Sequence, residues 1–253
     1  MPIADSRLFD CVNIILSLQN RCGGWATYER TRSFAALELL NPAETFGDIM
    51  IDYPYVECTS ASIQALRSFG RRFPAHRSRE VAAAISDGVH YILSSQRQDG
   101  SWYGSWGVCF TYGAWFGLSG LSAAGLTWAG THAIKAGVNF LLDRQGPDGG
   151  WGESYLASQD KTWSPLPGGA SHCVNTSWAL LALIASGQAQ RDAAPLHAAA
   201  RCLLRAQQPD GDWPQEHISG VFNRNCMISY SNYRNIFPIW ALGEYTTKVL
   251  NRG

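Results

Sequence analysis

The sequence predicts an all-α fold, paired helices arranged as an α/α toroid or barrel with insertions, and three observations predict it. Apolar residues recur at helical spacing ahead of four similar turns, each turn runs from a Gln to a Trp six residues later, and a second helical stretch follows each turn. In chain order, Asp5 or Ser6 is the expected N-cap of a first helix, Arg7 to Leu18, with Val12, Ile15 and Leu18 on one face. It ends in the turn Gln19-Asn-Arg-Cys-Gly-Gly-Trp25, and Glu57 to Phe69 reads as its partner helix. Ile85, Val89, Ile92 and Leu93 then mark a helix that closes on Gln96-Arg-Gln-Asp-Gly-Ser-Trp102, followed by a helix over Trp115 to Leu126. Phe140-Leu-Leu142 precedes Gln145-Gly-Pro-Asp-Gly-Gly-Trp151 and a helix from Thr176 to Ser186. Cys202-Leu-Leu204 precedes Gln207-Gln-Pro-Asp-Gly-Asp-Trp213 and a helix from Ile236 to Leu250.

Each turn explains itself. The glycine supplies the positive φ that stops a helix, the Asp can hydrogen-bond its own turn, and the Gln is placed to cap free helix carbonyls with its side chain against the indole. The glutamines are unevenly spaced, which excludes a simple solenoid and favours the toroid.

Composition narrows the function classes. A chain of 253 residues with 46% hydrophobic and 16% charged residues can bury a sizeable core. Twenty basic residues balance twenty acidic ones, leaving no field to hold nucleic acid. The longest strongly apolar stretch, Trp178 to Ala185, is far short of the roughly 20 residues that cross a bilayer, and no signal-peptide pattern opens the chain. The expectation is therefore an intracellular protein that neither spans a membrane nor is secreted by that route. Seven cysteines, an odd number in a chain of this size, point to a reducing compartment. No Cys-x-x-Cys pair or His-Glu-x-x-His occurs, so no metal site is expected, and His172 and His217 show no partner in sequence. Ten Trp, ten Tyr and ten Phe are the unusual figure.

The Gln-to-Trp repeats resemble the QW motifs of the triterpene cyclases. Longer strings sharpen the likeness: Leu37-Glu-Leu-Leu-Asn-Pro42, Phe46-Gly-Asp-Ile-Met-Ile-Asp-Tyr53, Tyr55-Val-Glu-Cys-Thr-Ser60, Gly104-Ser-Trp-Gly-Val-Cys-Phe-Thr-Tyr-Gly113 and Tyr233-Arg-Asn-Ile-Phe-Pro-Ile-Trp-Ala-Leu-Gly243. They resemble the eukaryotic oxidosqualene cyclases of the terpene cyclase/mutase family, the lanosterol synthase branch in particular, along nearly the whole chain. The resemblance implies an α/α barrel that folds (S)-2,3-oxidosqualene in an aromatic cavity and cyclises it through carbocations to a tetracyclic sterol precursor, without cofactor or metal. Aromatic faces stabilise cations by roughly 0.5 to 2 kcal/mol per desolvated contact without quenching them.

By position in the matching strings, Tyr28, Phe46, Ile49, Trp106, Phe222, Tyr230 and Tyr233 correspond to substrate-binding residues, and Cys58 to the cysteine that hydrogen-bonds the family's catalytic Asp. Without the family match such aromatics are core residues more often than cavity walls, and Cys58 a small buried hydrophobe. The acid itself, the first Asp of an Asp-Cys-Thr-Ala-Glu motif, does not occur here. In the family it lies upstream of the matched region, as do a second barrel domain and the membrane-contacting segment. The expectation is that residues 1–253 are the C-terminal part of one barrel domain, with little activity unless the N-terminal cyclase portion is supplied. Membrane contact, and a place at the endoplasmic reticulum membrane or lipid droplet, follow from the family alone. Glu57, Asp48 and Asp52 are the carboxyls that could substitute for the acid. The segment Phe222 to Tyr230 resembles the lanosterol-type version. Two further readings stand beside this one: a non-catalytic remnant or interaction module, and a prenyltransferase-like toroid, which would need a zinc site of Asp, Cys and His.

Overall fold

The computed structural model describes residues 3–251. The helices are α1 (Asp5–Ser17), α2 (Val56–Arg72), α3 (Ser78–Ser94), α4 (Phe110–Ala123), α5 (His132–Leu142), the short α6 (Leu156–Asp160), α7 (Cys173–Ala185), the short α8 (Gln188–Arg191), α9 (Ala194–Ala206) and α10 (Tyr233–Tyr245), the last running into a π-helical turn over Thr246–Leu250. Strands β1 (Gly220–Phe222) and β2 (Cys226–Ile228) form a small antiparallel hairpin with Val221 opposite Met227.

These elements form a two-layer arc. Among the described residues, α2, α4, α7 and α10 pack side by side in that order as an inner layer, and α1, α3, α5 and α9 lie outside them. The sequence dictates which helix goes where. Helices α4 (FTYGAWFGLSGLSA) and α7 (CVNTSWALLALIA) are apolar all round and buried on nearly every face, as helices flanked on three sides must be. Helices α3 and α9 carry one apolar stripe, Val81, Ala84, Gly88 and Ile92 in the first and Leu196, Ala199, Ala200 and Leu203 in the second.

The Gln-to-Trp turns are the joints of the arc. Each indole N–H donates to a carbonyl in the last turns of the preceding outer helix: Trp25 to Ile15 (2.7 Å), Trp102 to Ile92 (2.8 Å), Trp151 to Leu141 (2.7 Å) and Trp213 to Leu203 (2.9 Å). The helix-end cap is thus the indole, correcting the expectation that the Gln would do this. The Gln side chain instead donates to its own turn glycine's carbonyl and to the next outer helix: Gln19 to Gly23 and Ala84, Gln96 to Gly100 and Ala133, Gln145 to Gly149 and Pro195. The Trp backbone then pins the following inner helix. Trp25 N–H donates to Thr59 Oγ1 (3.0 Å) and Trp151 N–H to Thr176 Oγ1 (2.9 Å), each Thr in the first turn of its helix. One motif therefore ties together three helices.

Between these joints the tryptophans fill space that glycines leave. A Cβ at Gly117 of α4 would stand 2.5 Å from the Trp102 ring, and one at Gly137 of α5 2.7 Å from it, so the ring is wedged between the two layers.

The predicted helices are all present, with shifted ends. Helix α1 is preceded by Ala4 with no side-chain cap, and neither Asp5 nor Ser6 caps it; Asp5 lies in the first turn and pairs with Arg72 (2.8 Å). Helix α4 starts at Phe110, ahead of the predicted Trp115, because Glu153 caps it from another loop, accepting from Phe110 N (2.9 Å), Thr111 N (2.8 Å) and Thr111 Oγ1 (2.8 Å). It stops before the predicted Leu126 because Gly125 turns the chain at φ 97°.

Candidate functional site

The hairpin β1–β2 builds the site. Its turn holds Asn223 in the left-handed region at φ 57°, which directs the Asn223 side-chain amide to the carbonyl of Asp48 (2.9 Å). Two residues on, Asn225 Oδ1 accepts from Gly47 N (3.0 Å). The two asparagines clamp the loop around residues 44–48 onto the hairpin, and Phe46 meets Phe222 edge to face at 5.4 Å. On the other side of β1, Val108 N donates to Ser219 O (2.9 Å) and Gly107 bridges to Gly220, so Trp106 meets Phe222 at 5.1 Å and Tyr55 at 5.5 Å.

A cleft of about 140 Å³ opens here, lined by Tyr28, Ile49, Trp106 and Phe222 together with Asp48 and Asp52. Tyr28 is held at its edge, mostly exposed, by Asp52, whose carboxylate accepts from the backbone N–H groups of Thr27 (3.0 Å), Tyr28 (2.6 Å) and Glu29 (3.2 Å). Asp52 is therefore committed to a loop, which is a structural use of a carboxyl that sequence alone left open as an acid.

Tyr230 and Tyr233 form a second group. Their rings stack at 4.6 Å, and Tyr233 continues edge to face onto Trp178 and Phe237 inside the inner layer. The two groups meet at the hairpin, where the Tyr230 ring lies on Gly220; a Cβ there would be 2.5 Å from it. Five of the seven residues predicted to bind substrate thus gather at or beside one cleft; of the other two, Tyr230 lies on Gly220 of β1 and Tyr233 stacks on Tyr230. Tyr55, Asn223 and Asn225 were not singled out from sequence as site residues. Tyr55 opens one of the strings that carry the family likeness, whereas the asparagines have no pattern that marks them.

Cys58 sits on α2, half-buried, packed with the small cluster of Val12, Trp25 and Leu66 and not lining the cleft. Burial, then the nearby Glu57 and Asp52, push its thiol up to about 12, so it is a neutral donor at neutral pH. Glu57, its neighbour, points elsewhere. One carboxylate oxygen accepts from Ser105 N (2.6 Å), beside Trp106, while the other has no partner. Desolvation raises Glu57 to about 7, against the lowering effect of the Ser105 amide it accepts from and of the nearby Glu57 and Trp106 amides. It borders a cavity of about 310 Å³ with Tyr53, Tyr91, Tyr103 and Lys161.

His172 is buried and has partners that sequence did not show. Its Nδ1 accepts from Val174 N (3.0 Å), its Nε2 lies 2.9 Å from His217 O, and Glu216 is 3.7 Å away. His172, Cys173 and Glu216 are the group among the described residues whose ligand atoms could converge on a metal, within 4.8 Å of one another. Both imidazole nitrogens are already engaged by backbone groups, and Glu216 accepts from Cys173 N (2.6 Å), so a metal would have to displace these bonds. Among the described residues no helix is long and apolar enough to cross a membrane.

Comparison with known proteins shows the family and the fold. The chain is 49% identical over 247 residues to lanosterol synthase of Homo sapiens, a match covering 96% of this chain and 33% of that protein. It is 50% identical over 245 residues to cycloartenol synthase of Dictyostelium discoideum, covering 96% and 34%. The chain thus spans about a third of the length of the curated relatives it matches. Among solved structures, ent-copalyl diphosphate synthase from Streptomyces platensis superposes with a TM-score of 0.54 at 14% identity, over 94% of this chain and 46% of that one, which shows the shared fold. The family described as squalene-hopene cyclase C-terminal domain matches residues 4–247, and with its arc of helix pairs joined by Gln-to-Trp turns the chain belongs to that family.

Proposed function

We propose that this chain is the C-terminal wall of a triterpene cyclase cavity, in which (S)-2,3-oxidosqualene is folded and cyclised through carbocations to a tetracyclic sterol precursor. The observation that carries the reading is the convergence of Phe46, Trp106 and Phe222 edge to face beside a cleft also lined by Tyr28 and Ile49. Rings in this arrangement present negative faces to a passing cation and offer no nucleophile to end the cascade early. Residues 1–253 act as the C-terminal part of one α/α barrel, and the N-terminal cyclase portion brings the general acid, to which Cys58 donates. A carboxylic acid over an epoxide must keep its proton until the substrate is in place, and a neutral thiol donor beside it increases its acidity. Membrane contact at the endoplasmic reticulum or lipid droplet is made by that upstream portion.

The product is lanosterol in this reading, because Phe222 to Tyr230 has the lanosterol-type sequence. Overall identity does not decide this, since the relatives that make lanosterol and cycloartenol are equally similar. The test is a mixture of this chain and the upstream portion of a relative, with products identified by mass spectrometry. Substituting Trp106→Ala and Phe222→Ala together should abolish product or divert it to early-terminated rings; an unchanged profile would show that these rings do not face the cations.

A further inference from the structure

Two cavities lie back to back at Tyr55. The cleft that holds Tyr28, Ile49, Trp106 and Phe222 and the cavity of about 310 Å³ beside Glu57 share three lining residues, Asp48, Tyr55 and Asn223. The larger cavity reaches solvent at the exposed Lys161. Chain neighbours divide between the two sides: Ser105 lines the cavity and Trp106 the cleft, while Asp52 lines the cleft and Tyr53 the cavity. The shared residues therefore form a wall one side chain thick.

That wall is latched. The Tyr55 hydroxyl donates to Asn223 Oδ1 (3.3 Å), a gap too narrow for a water molecule to pass. Asn223 is held in place, because its amide donates to Asp48 O (2.9 Å) and its backbone sits in the left-handed turn at φ 57°. Its carbonyl lies 3.3 Å from the Tyr103 hydroxyl, which is itself 2.9 Å from Ser158 O. The Tyr55 ring meets Trp106 edge to face at 5.5 Å, and the Glu57 carboxyl anchors that segment through Ser105 N (2.6 Å). Although a cavity flanks them on each side, Tyr55 and Asn223 are only 8% and 5% exposed, so they fill the space between.

A carbocation is captured by water that reaches it: an oxygen lone pair forms a C–O bond, the oxonium sheds a proton, and the cascade ends as an alcohol. Cyclisation through cations therefore needs a dry cleft. Building on the cyclase reading above, we propose that Tyr55 latched to Asn223 is the water barrier between the cation cleft and the Lys161 cavity, so that this pair decides whether the cascade ends by proton loss or by capture of water. Whatever closes the rest of the cleft, on this side the barrier comes from this chain alone.

The test is cyclisation of 2,3-oxidosqualene by this chain mixed with the upstream portion of a relative, run in water labelled with heavy oxygen, with products identified by mass spectrometry. The wild-type cyclic product should carry only the oxygen of the epoxide. Tyr55→Ala and Asn223→Gly should each raise labelled cyclic alcohols at least about tenfold over wild type, a shift of roughly 1.4 kcal/mol in the competition between the two endings. Asn223→Gly removes the latch yet suits the left-handed turn, so it stays informative if Tyr55→Ala does not fold. Lys161→Ala, which widens only the outer mouth, should add no label. Structural damage lowers the rate, whereas label in a ring product requires water in the cleft. Wild-type sterol with no extra label from Asn223→Gly, or as much label from Lys161→Ala as from Asn223→Gly, would overturn the barrier and leave the cyclase reading standing. No sterol from the wild-type mixture would sink that reading, and this role with it.

Discussion

A carboxyl with one oxygen on the Ser105 amide and the other buried without a partner titrates unlike an exposed one. Glu57 is raised to about 7, so between the usual carboxylate pKa and pH 7 the folded chain holds a proton that the unfolded chain has released. Its contribution to stability is therefore fully present below about pH 4.5 and is lost as pH rises through 7, a change of up to about 3 kcal/mol. Glu57→Gln keeps the acceptor for Ser105 and mimics the protonated form. Urea unfolding should give near wild-type stability at pH 5 and a gain of that order at pH 8.5; equal stability at both would show that Glu57 is ionised in the fold. The residues expected at the site were singled out because they correspond to positions in the family likeness, and Tyr28, Ile49, Trp106 and Phe222 of them line one cleft. The reason they converge was not readable, since Asn223 and Asn225 act through a left-handed turn and bonds to residues about 175 positions away, which no local pattern records.

Helices were the most legible level, because the outer ones are announced by an apolar stripe and closed by a glycine turn, at Gly23, Gly100, Gly149 and Gly211. Their ends were less so. The start of α4 depends on Glu153, a cap that belongs to a different segment of the chain. The turns allow a comparison that separates backbone strain from packing. Gly149 and Gly211 have nearly the same φ, 91° and 90°, but only Gly149 lies under another helix. Gly211→Ala should cost about 1 kcal/mol, the left-handed penalty alone. Gly149→Ala adds a clash with the Ala198 carbonyl and should cost about 2 kcal/mol more. Thermal unfolding of the two variants checks this, and equal costs would contradict the account of the turn as a joint between outer helices.

At the scale of the molecule, the arc has a concave groove of about 740 Å³ toward the C-terminal ends of the inner helices, where Trp115, Phe116, Leu181, Ile184 and Trp240 face one another. The all-α architecture and the family were legible in the sequence, because the repeat sets the joints and the joints set the arc. That nothing packs over Gly211 was not legible, since the fourth turn reads like the others and differs only in what packs against it. The central claim is that this chain is one wall of a cyclase cavity whose acid comes from elsewhere. The most direct test measures conversion of 2,3-oxidosqualene by this chain alone, by the N-terminal portion of a relative alone and by the two together. The account predicts sterol from the mixture only; sterol from this chain alone would contradict it, by showing that a carboxyl within these 253 residues protonates the epoxide.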